Sequence, residues 1–452
     1  IKSLIFNRLD DPSSKLALLS WLETVHIPGI KSGDIRYEYL LRAMDFLITN
    51  KQELEDIISL RLLDLFNHDL KLCFYDLTST YFEADKSITD DDIRRNGYSR
   101  DHRSDREQIV IGVVMTGDCL PLAHYTFSGN RSDSTTVQEV MSDIRNRFGV
   151  EKITLVADKG MVSGTNIKFL VESGFPFILG ESPRQSTVAR EVIKQAAKDR
   201  LANSPDGLSY IYETEQIKQC QIKEELSSGK IKQSTYKVNL RYVACYNPQM
   251  AIKKYHTRTK RITDMLMEVE QIQFKSINLE DQYSQILSIL SRKRLSRFFS
   301  VSISSGETVL KRNDEELQFE QECDGWFLTI SKEVALGKES IIAKYKDLKY
   351  IEHGFFELKH SLQLRPNHHW TPRRIKAHVM VCFMAFQIAV LFEKRLSDIK
   401  MTWEKAMQSL KRIAVIKWDR GDYTRNALVK VKPEQLEIFK AIGSVKPTTT
   451  SL

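Results

Sequence analysis

A chain of 452 residues and 52.3 kDa exceeds what one hydrophobic core usually organises, and with 42% apolar residues two or three domains are expected. The net charge of +8 is uneven: residues 371–452 carry 16 Lys and Arg against 7 Asp and Glu, and the rest is nearly neutral. A basic segment points to a polyanion such as DNA or RNA, the plainer reading being a solvated basic face. Six scattered cysteines without a CxxC pair exclude a zinc finger and fit a reduced, cytoplasmic protein. The longest apolar run, Val379 to Phe392, is 14 residues and too short for a bilayer, so it reads as a buried helix and no membrane partner is expected. No signal segment is legible at Ile1.

In chain order, residues 1–70 read as a helical N-terminal domain, with apolar residues at three-and-four spacing in SSKLALLSWLETV and YEYLLRAMDFLITNKQELEDIISLRLLDLF. Strand patterns follow in LKLCFYDLTSTYFE, EQIVIGVVMTG and CLPLAHYTFSG. Next come a helix over 133–147 with Ser132 as N-cap, the strand KITLVAD, the helix NIKFLVES and the strand PFILG. That order predicts an α/β core with one mixed sheet over 71–180. Residues 181–335 mix charged helices (VAREVIKQAAKDRL, DQYSQILSILSRKRL) with strands (STYKVNLRYVACYN, ELQFEQE, WFLTIS), and read as a mostly β inserted subdomain. The core resumes at 336–400, with one long helix over 338–361 and another from Thr371-Pro372, where Pro suits a first helical position. Residues 401–452 form a basic C-terminal segment ending in the loose tail KPTTTSL.

Three carboxylates sit where apolar residues would be expected or where strands end. Asp76 interrupts the apolar FYDLTSTYF, and Asp158 closes the strand ITLVAD before a reversal at Lys159-Gly160. Ligand sites in open α/β sheets collect at such strand ends. Tyr345, Glu352 and Lys359 recur every seven residues, which puts them on one stripe of a continuous helix. Each alone is an ordinary turn or helix-flank residue. A carboxylate within a packed stripe needs a partner, and a metal ion is one such partner. Two Asp and one Glu are hard oxygen ligands of the kind Mg²⁺ prefers, and two such ions suit phosphoryl transfer on a nucleic-acid backbone.

With FYDLTSTYF, GYSRDHRSDREQIVIGVV, PLAHYTFSGNRSDSTT, LVADKGMVS and YIEHGFFELKHSLQLRPNHHWTPRRIKAHV, the chain resembles the DDE transposases of bacterial insertion sequences over about residues 70–400. Within these it resembles the family-four group with a Tyr-Arg-Glu-Lys signature, in the branch with a long insertion before the Glu. The resemblance implies an RNase H-like core with Asp76, Asp158 and Glu352 as ligands of two Mg²⁺ ions, Mn²⁺ being a substitute. It also implies double-stranded DNA partners, the terminal inverted repeats and a target, bound by a homodimer or larger synaptic complex at the bacterial nucleoid. The signature maps onto Tyr345, Leu348, Glu352 and Lys359, so Leu replaces the motif Arg, with Lys349 beside it. Lys349 would reach a phosphate without Arg's bidentate fork.

Further DNA contacts are expected from Lys359, Tyr345 and the basic loop Arg94–Gln108, where Arg95, Arg100, Arg103 and Arg106 would hold phosphates and Asp105 and Gln108 would brace the loop. Asn130 and Asp133 are expected to steady a turn behind the site. In the insertion, KKYHTRTKR and SRKRLSR are dense in positive charge, and Trp326 would stack on a base drawn from the duplex. The expected activity is cut-and-paste transposition. The alternatives are a nuclease of the same fold that does not join strands, and an inactive or domesticated DNA-binding relic.

Overall fold

The amphipathic spacing at the start of the chain produces α1 (Lys2–Asp10), α2 (Ala17–Thr24), α3 (Tyr37–Thr49) and α4 (Lys51–Leu65). β-branched and aromatic residues then form β1 (Leu72–Tyr81), β2 (Gln108–Thr116) and β3 (Pro121–Ser128), followed by α5 (Val137–Phe148) and β4 (Thr154–Ala157). The computed structural model describes residues 1–65, 70–83, 91–150, 152–184, 186–204, 208–225, 231–274, 278–420 and 423–448. It divides into two units, Ile1–Ala157 with Asp347–Leu452, and Asp158–Lys346.

The second unit begins with α6 (Gly164–Glu172), β5 (Phe177–Glu181), α7 (Thr187–Asn203), β6 (Tyr210–Glu225) and β7 (Ile231–Tyr246). It continues through α8 (Pro248–Gln273), α9 (Leu279–Arg292), β8 (Phe299–Ser304), β9 (Glu307–Arg312), α10 (Asp314–Glu322), β10 (Trp326–Lys332) and α11 (Lys338–Lys346). Its strands lie in the order β5-β10-β7-β6, with β10 antiparallel to both β5 and β7. Met265, Val269, Ile286, Leu290 and Leu295 join α8 and α9 to the β8–β9 hairpin in a separate apolar cluster.

The first unit closes with α12 (Lys349–Lys359), α13 (Pro372–Leu396), α14 (Trp403–Leu410), β11 (Val415–Arg420), β12 (Tyr423–Leu428) and α15 (Pro433–Ala441). Its strand order is β3-β2-β1-β4, antiparallel except for the parallel pair β1–β4. The protein is thus α/β, with a mixed sheet flanked by helices, as expected of an RNase H-like core. The outer edge of β3 is covered by side chains, which removes the unpaired backbone groups of an edge strand. Lys51 Nζ donates to the His124 carbonyl at 2.9 Å, Ser59 Oγ to that of Leu122 at 2.6 Å, and Gln387 Nε2 to that of Pro121 at 3.0 Å.

Three local expectations are corrected. The helix expected over 338–361 is two helices, α11 and α12, parted by a turn in which the Tyr350 N–H meets the Asp347 carbonyl at 2.9 Å. ELQFEQE lies in α10: the Asn313 side chain caps the Glu316 N–H, and Asp314, Glu315 and Glu316 face the positive end of the helix dipole. The apolar run Val379–Phe392 lies in α13, a helix that is long and apolar enough to cross a membrane, with mean hydropathy 1.9. Burial of 61% of its most apolar window, with α1, α3 and α12 packed on it, makes it a core helix. The tail KPTTTSL runs into residues 449–452, outside the described residues.

Candidate active site

Asp76 is half-buried in an otherwise apolar strand. It stands opposite Val113, which stands opposite His124, and side chains so paired share one face of a sheet. The His124 ring lies 4.7 Å from that of Phe383 in α13, so this is the face that α13 covers, and α12 packs on β1. Tyr75 points to the other face, where its hydroxyl meets Thr136 Oγ1 at 2.7 Å before α5. The Asp76 carboxylate is turned by its neighbour: the Leu77 N–H donates to Oδ1 at 2.8 Å. The β1–β4 ladder is parallel up to Tyr75 opposite Ala157, and the next residue along each strand is an aspartate, Asp76 or Asp158.

Asp158 is half-buried, and within the second unit its Oδ1 accepts a hydrogen bond from the Tyr345 hydroxyl at 3.0 Å. Two features hold that tyrosine. Its ring stacks at 5.9 Å on Phe327, and its hydroxyl lies over Gly180, where a Cβ would come within 2.1 Å of the oxygen. Only glycine at 180 leaves room for this contact.

Glu352 is exposed in the first turn of α12. This helix approaches α13 closely at Gly354, where an added Cβ would sit 2.6 Å from the Phe386 ring. The break after Lys346 separates Tyr345 from the Glu352 and Lys359 stripe, and the two parts belong to different units. Leu348, in the motif Arg position, is 8% exposed and part of the core, while Lys349 is exposed with its Nζ 4.9 Å from the centre of the Tyr350 ring.

Lys359 is buried, and its Nζ donates to Asp101 Oδ1 at 2.9 Å, while Arg365 reaches Asp101 Oδ2 at 3.0 Å. Burial lowers the Lys359 ammonium below its ordinary range and Asp101 opposes that shift. Asp101 was not anticipated; it shares its loop with Asp105 and Glu107, and no local signal in the sequence sets it apart from them.

The basic loop is braced from within. Arg95 and Gln108 form an antiparallel bridge, and the Gln108 side chain donates to the Tyr98 and Gly129 carbonyls at 2.9 Å. Arg100 pairs with Asp133 at 2.6 Å, Arg103 with Asp105 at 2.9 Å, and Arg106 donates to the Glu83 carbonyl at 3.1 Å. Asn130 accepts from Ser128 Oγ at 2.8 Å.

In the second unit Trp326 is 3% exposed and packs on Tyr246 at 5.3 Å, so its ring is a core element with no open face for a base. KKYHTRTKR lies on α8, where Arg258 pairs with Asp324 and Arg261 donates to the Lys293 carbonyl. In SRKRLSR, Lys293 meets Glu268 at 2.9 Å and Arg297 meets Glu316 at 3.3 Å.

Among the described residues no three His, Cys, Asp or Glu side chains stand together as a metal-holding group. The donor chemistry of the three predicted residues fits a hard cation: all are carboxylates, and none is fully buried.

The first unit thus holds a mixed sheet with helices on both faces, and an aspartate lies within β1 and another directly after the adjacent parallel β4. Residues 79–388 match the transposase DDE domain, which covers more than half of the chain, and the chain belongs to that family. The family is one of DNA-cleaving and strand-transferring enzymes that use divalent metal ions. The match spans Asp158 and Glu352 and opens just beyond Asp76. No curated protein matches the chain.

Proposed function

We propose that the protein binds the terminal inverted repeats of an insertion sequence and moves that element by cut-and-paste transposition, acting as a homodimer or larger synaptic complex at the bacterial nucleoid. The observation that supports this most is the β1–β4 register, after whose last pair, Tyr75 opposite Ala157, the next residue of each segment is an aspartate, together with the packing on β1 of α12, the helix that carries Glu352. Asp76, Asp158 and Glu352 would hold Mg²⁺, or Mn²⁺ in its place. When bound, these ions supply activation of the attacking oxygen and charge stabilisation of the leaving one.

The chain's own groups orient the rest. Tyr345 fixes Asp158 Oδ1, and the Leu77 N–H fixes Asp76 Oδ1. The half-buried arginines at 95, 100, 103 and 106, with Lys349 and Lys359, would hold backbone phosphates. Attack by water on a phosphodiester at the element's end breaks the P–O3′ bond and frees a 3′-hydroxyl. That hydroxyl then attacks a second phosphodiester, forming one P–O bond as another breaks.

The test is Asp76→Asn with an end-containing duplex in Mg²⁺: binding retained and nicking lost supports the reading, and normal nicking refutes it. A second reading, a DNA-binding copy without catalysis, is favoured by the buried Leu348 at the motif Arg position. Absence of nicking by the unmodified protein would establish it.

A further inference from the structure

A cavity of about 160 Å³ opens in the first unit between the α1–α2 connection and the segment joining α12 to α13. Arg8, Ser13, Lys15, Tyr37, His369 and His378 line it, together with other residues of the same segments, and no carboxylate is among them. Arg8 and Lys15 are 3% and 7% exposed. Among the described residues every hydrogen bond of the Arg8 guanidinium goes to a neutral oxygen: the carbonyls of Gln363 and Ser13, and Asn7 Oδ1.

Lys15 Nζ donates at 2.8 Å to His378 Nδ1, a tautomer set by the His378 Nε2–H, which donates to the Leu364 carbonyl at 3.1 Å. Among the described residues the other two Lys15 protons have no partner, and neither cation has an acidic one. Burial, with Arg8 as a second cause, lowers Lys15 to about 7. Buried positive charge without a countercharge is costly, and an anion in the adjacent cavity would remove that cost.

We propose that this pocket binds a phosphate-type oxyanion, with Lys15 and Arg8 as its charged donors and Ser13, Tyr37 and His369 around it. The anion is either a backbone phosphate of DNA or free inorganic phosphate. The proposal does not depend on the catalytic reading, because the pocket's residues are none of the carboxylates assigned above.

The test uses the full chain without divalent metal. Thermal unfolding is followed in sodium phosphate and in sodium chloride at matched ionic strength. Phosphate is expected to raise Tm by a few degrees with saturation, as a ligand of the folded state does. The rise should vanish in Lys15→Met and need about tenfold more phosphate in His369→Gln, which removes a half-buried group at little risk to folding. An equal Tm in the two salts, or an equal phosphate response in His369→Gln and a folded Lys15→Met, would overturn the proposal.

The source is separated by duplex binding against salt. If the occupant is a DNA phosphate, inorganic phosphate competes with the duplex and Lys15→Met, which removes a charge, lowers the slope of log K against log salt by about one, while His369→Gln, which removes none, weakens duplex binding with the slope kept. If it is free phosphate, duplex and phosphate bind together and the slope is unchanged.

Discussion

Tyr345, the last aromatic residue of α11, donates its hydroxyl proton to Asp158 Oδ1 at 3.0 Å across the space left by Gly180. A partner that orients a metal-binding carboxylate typically contributes 10–100-fold to metal affinity or activity. Tyr345→Phe keeps the ring that stacks on Phe327 and removes the hydroxyl that makes this bond. The Mg²⁺ concentration for half-maximal nicking should rise by about 10–100-fold, with duplex affinity within about twofold of the unmodified protein. Single-turnover nicking across a Mg²⁺ series, beside a binding titration, measures both; an unchanged Mg²⁺ dependence would remove Tyr345 from the account.

Asp101 joins the loop between β1 and β2 to α12 through Lys359 and to the following segment through Arg365. Asp101→Asn leaves a buried ammonium without its countercharge, at a cost of roughly 3 kcal/mol. Urea unfolding of the single variant and of Asp101→Asn with Lys359→Met should differ, the double variant regaining part of the loss. If Asp101→Asn alone unfolds at the urea midpoint of the unmodified protein, the pair is not holding the loop.

Glu55 sits under the edge of β3, 2.5 Å from His124 Nδ1, 2.7 Å from Lys51 and 3.4 Å from Arg147. Burial alone would raise its carboxyl, but His124 and Lys51 outweigh burial and hold it down at about 2. Because the folded value lies below the unfolded one of about 4.3, its stabilisation is fully present above about pH 5 and fades as pH falls towards 2. Glu55→Gln should unfold at lower urea than the unmodified protein at pH 7, and the gap should narrow between pH 5 and pH 3. A gap that stays constant or widens on acidification would contradict the assignment.

The strands β1 to β5, β7 and β10, and the acids within β1 and after β4, were legible because period-two alternation and an acid in an apolar run are local signals, whereas β6, β8, β9, β11 and β12 were not read as strands. The start of α13 was legible for the same reason, through Thr371-Pro372. The break between α11 and α12 was not, since three-and-four spacing continues through Asp347 and Leu348 and implied one helix carrying Tyr345, Glu352 and Lys359. α10 was read as a strand from the alternation in ELQFEQE, although Asn313 and three acids in the first turn are a helix start. The Lys359–Asp101 and Tyr345–Asp158 contacts join residues far apart in the chain, which no periodicity encodes. Charge density in KKYHTRTKR and SRKRLSR was legible, but the acids that neutralise much of it lie elsewhere in the second unit.

The central claim is that carboxylate oxygens at Asp76, Asp158 and Glu352 bind the metal ions that cut DNA. Its most direct measurement is the metal preference of Asp158→Cys, because a thiolate is a poor ligand for Mg²⁺ and a better one for Mn²⁺. Nicking of an end-containing duplex by this variant should be lost in Mg²⁺ and partly restored in Mn²⁺, while the unmodified protein cuts in both. Equal cutting by the variant in Mg²⁺, or none in Mn²⁺ with duplex binding intact, would contradict the claim.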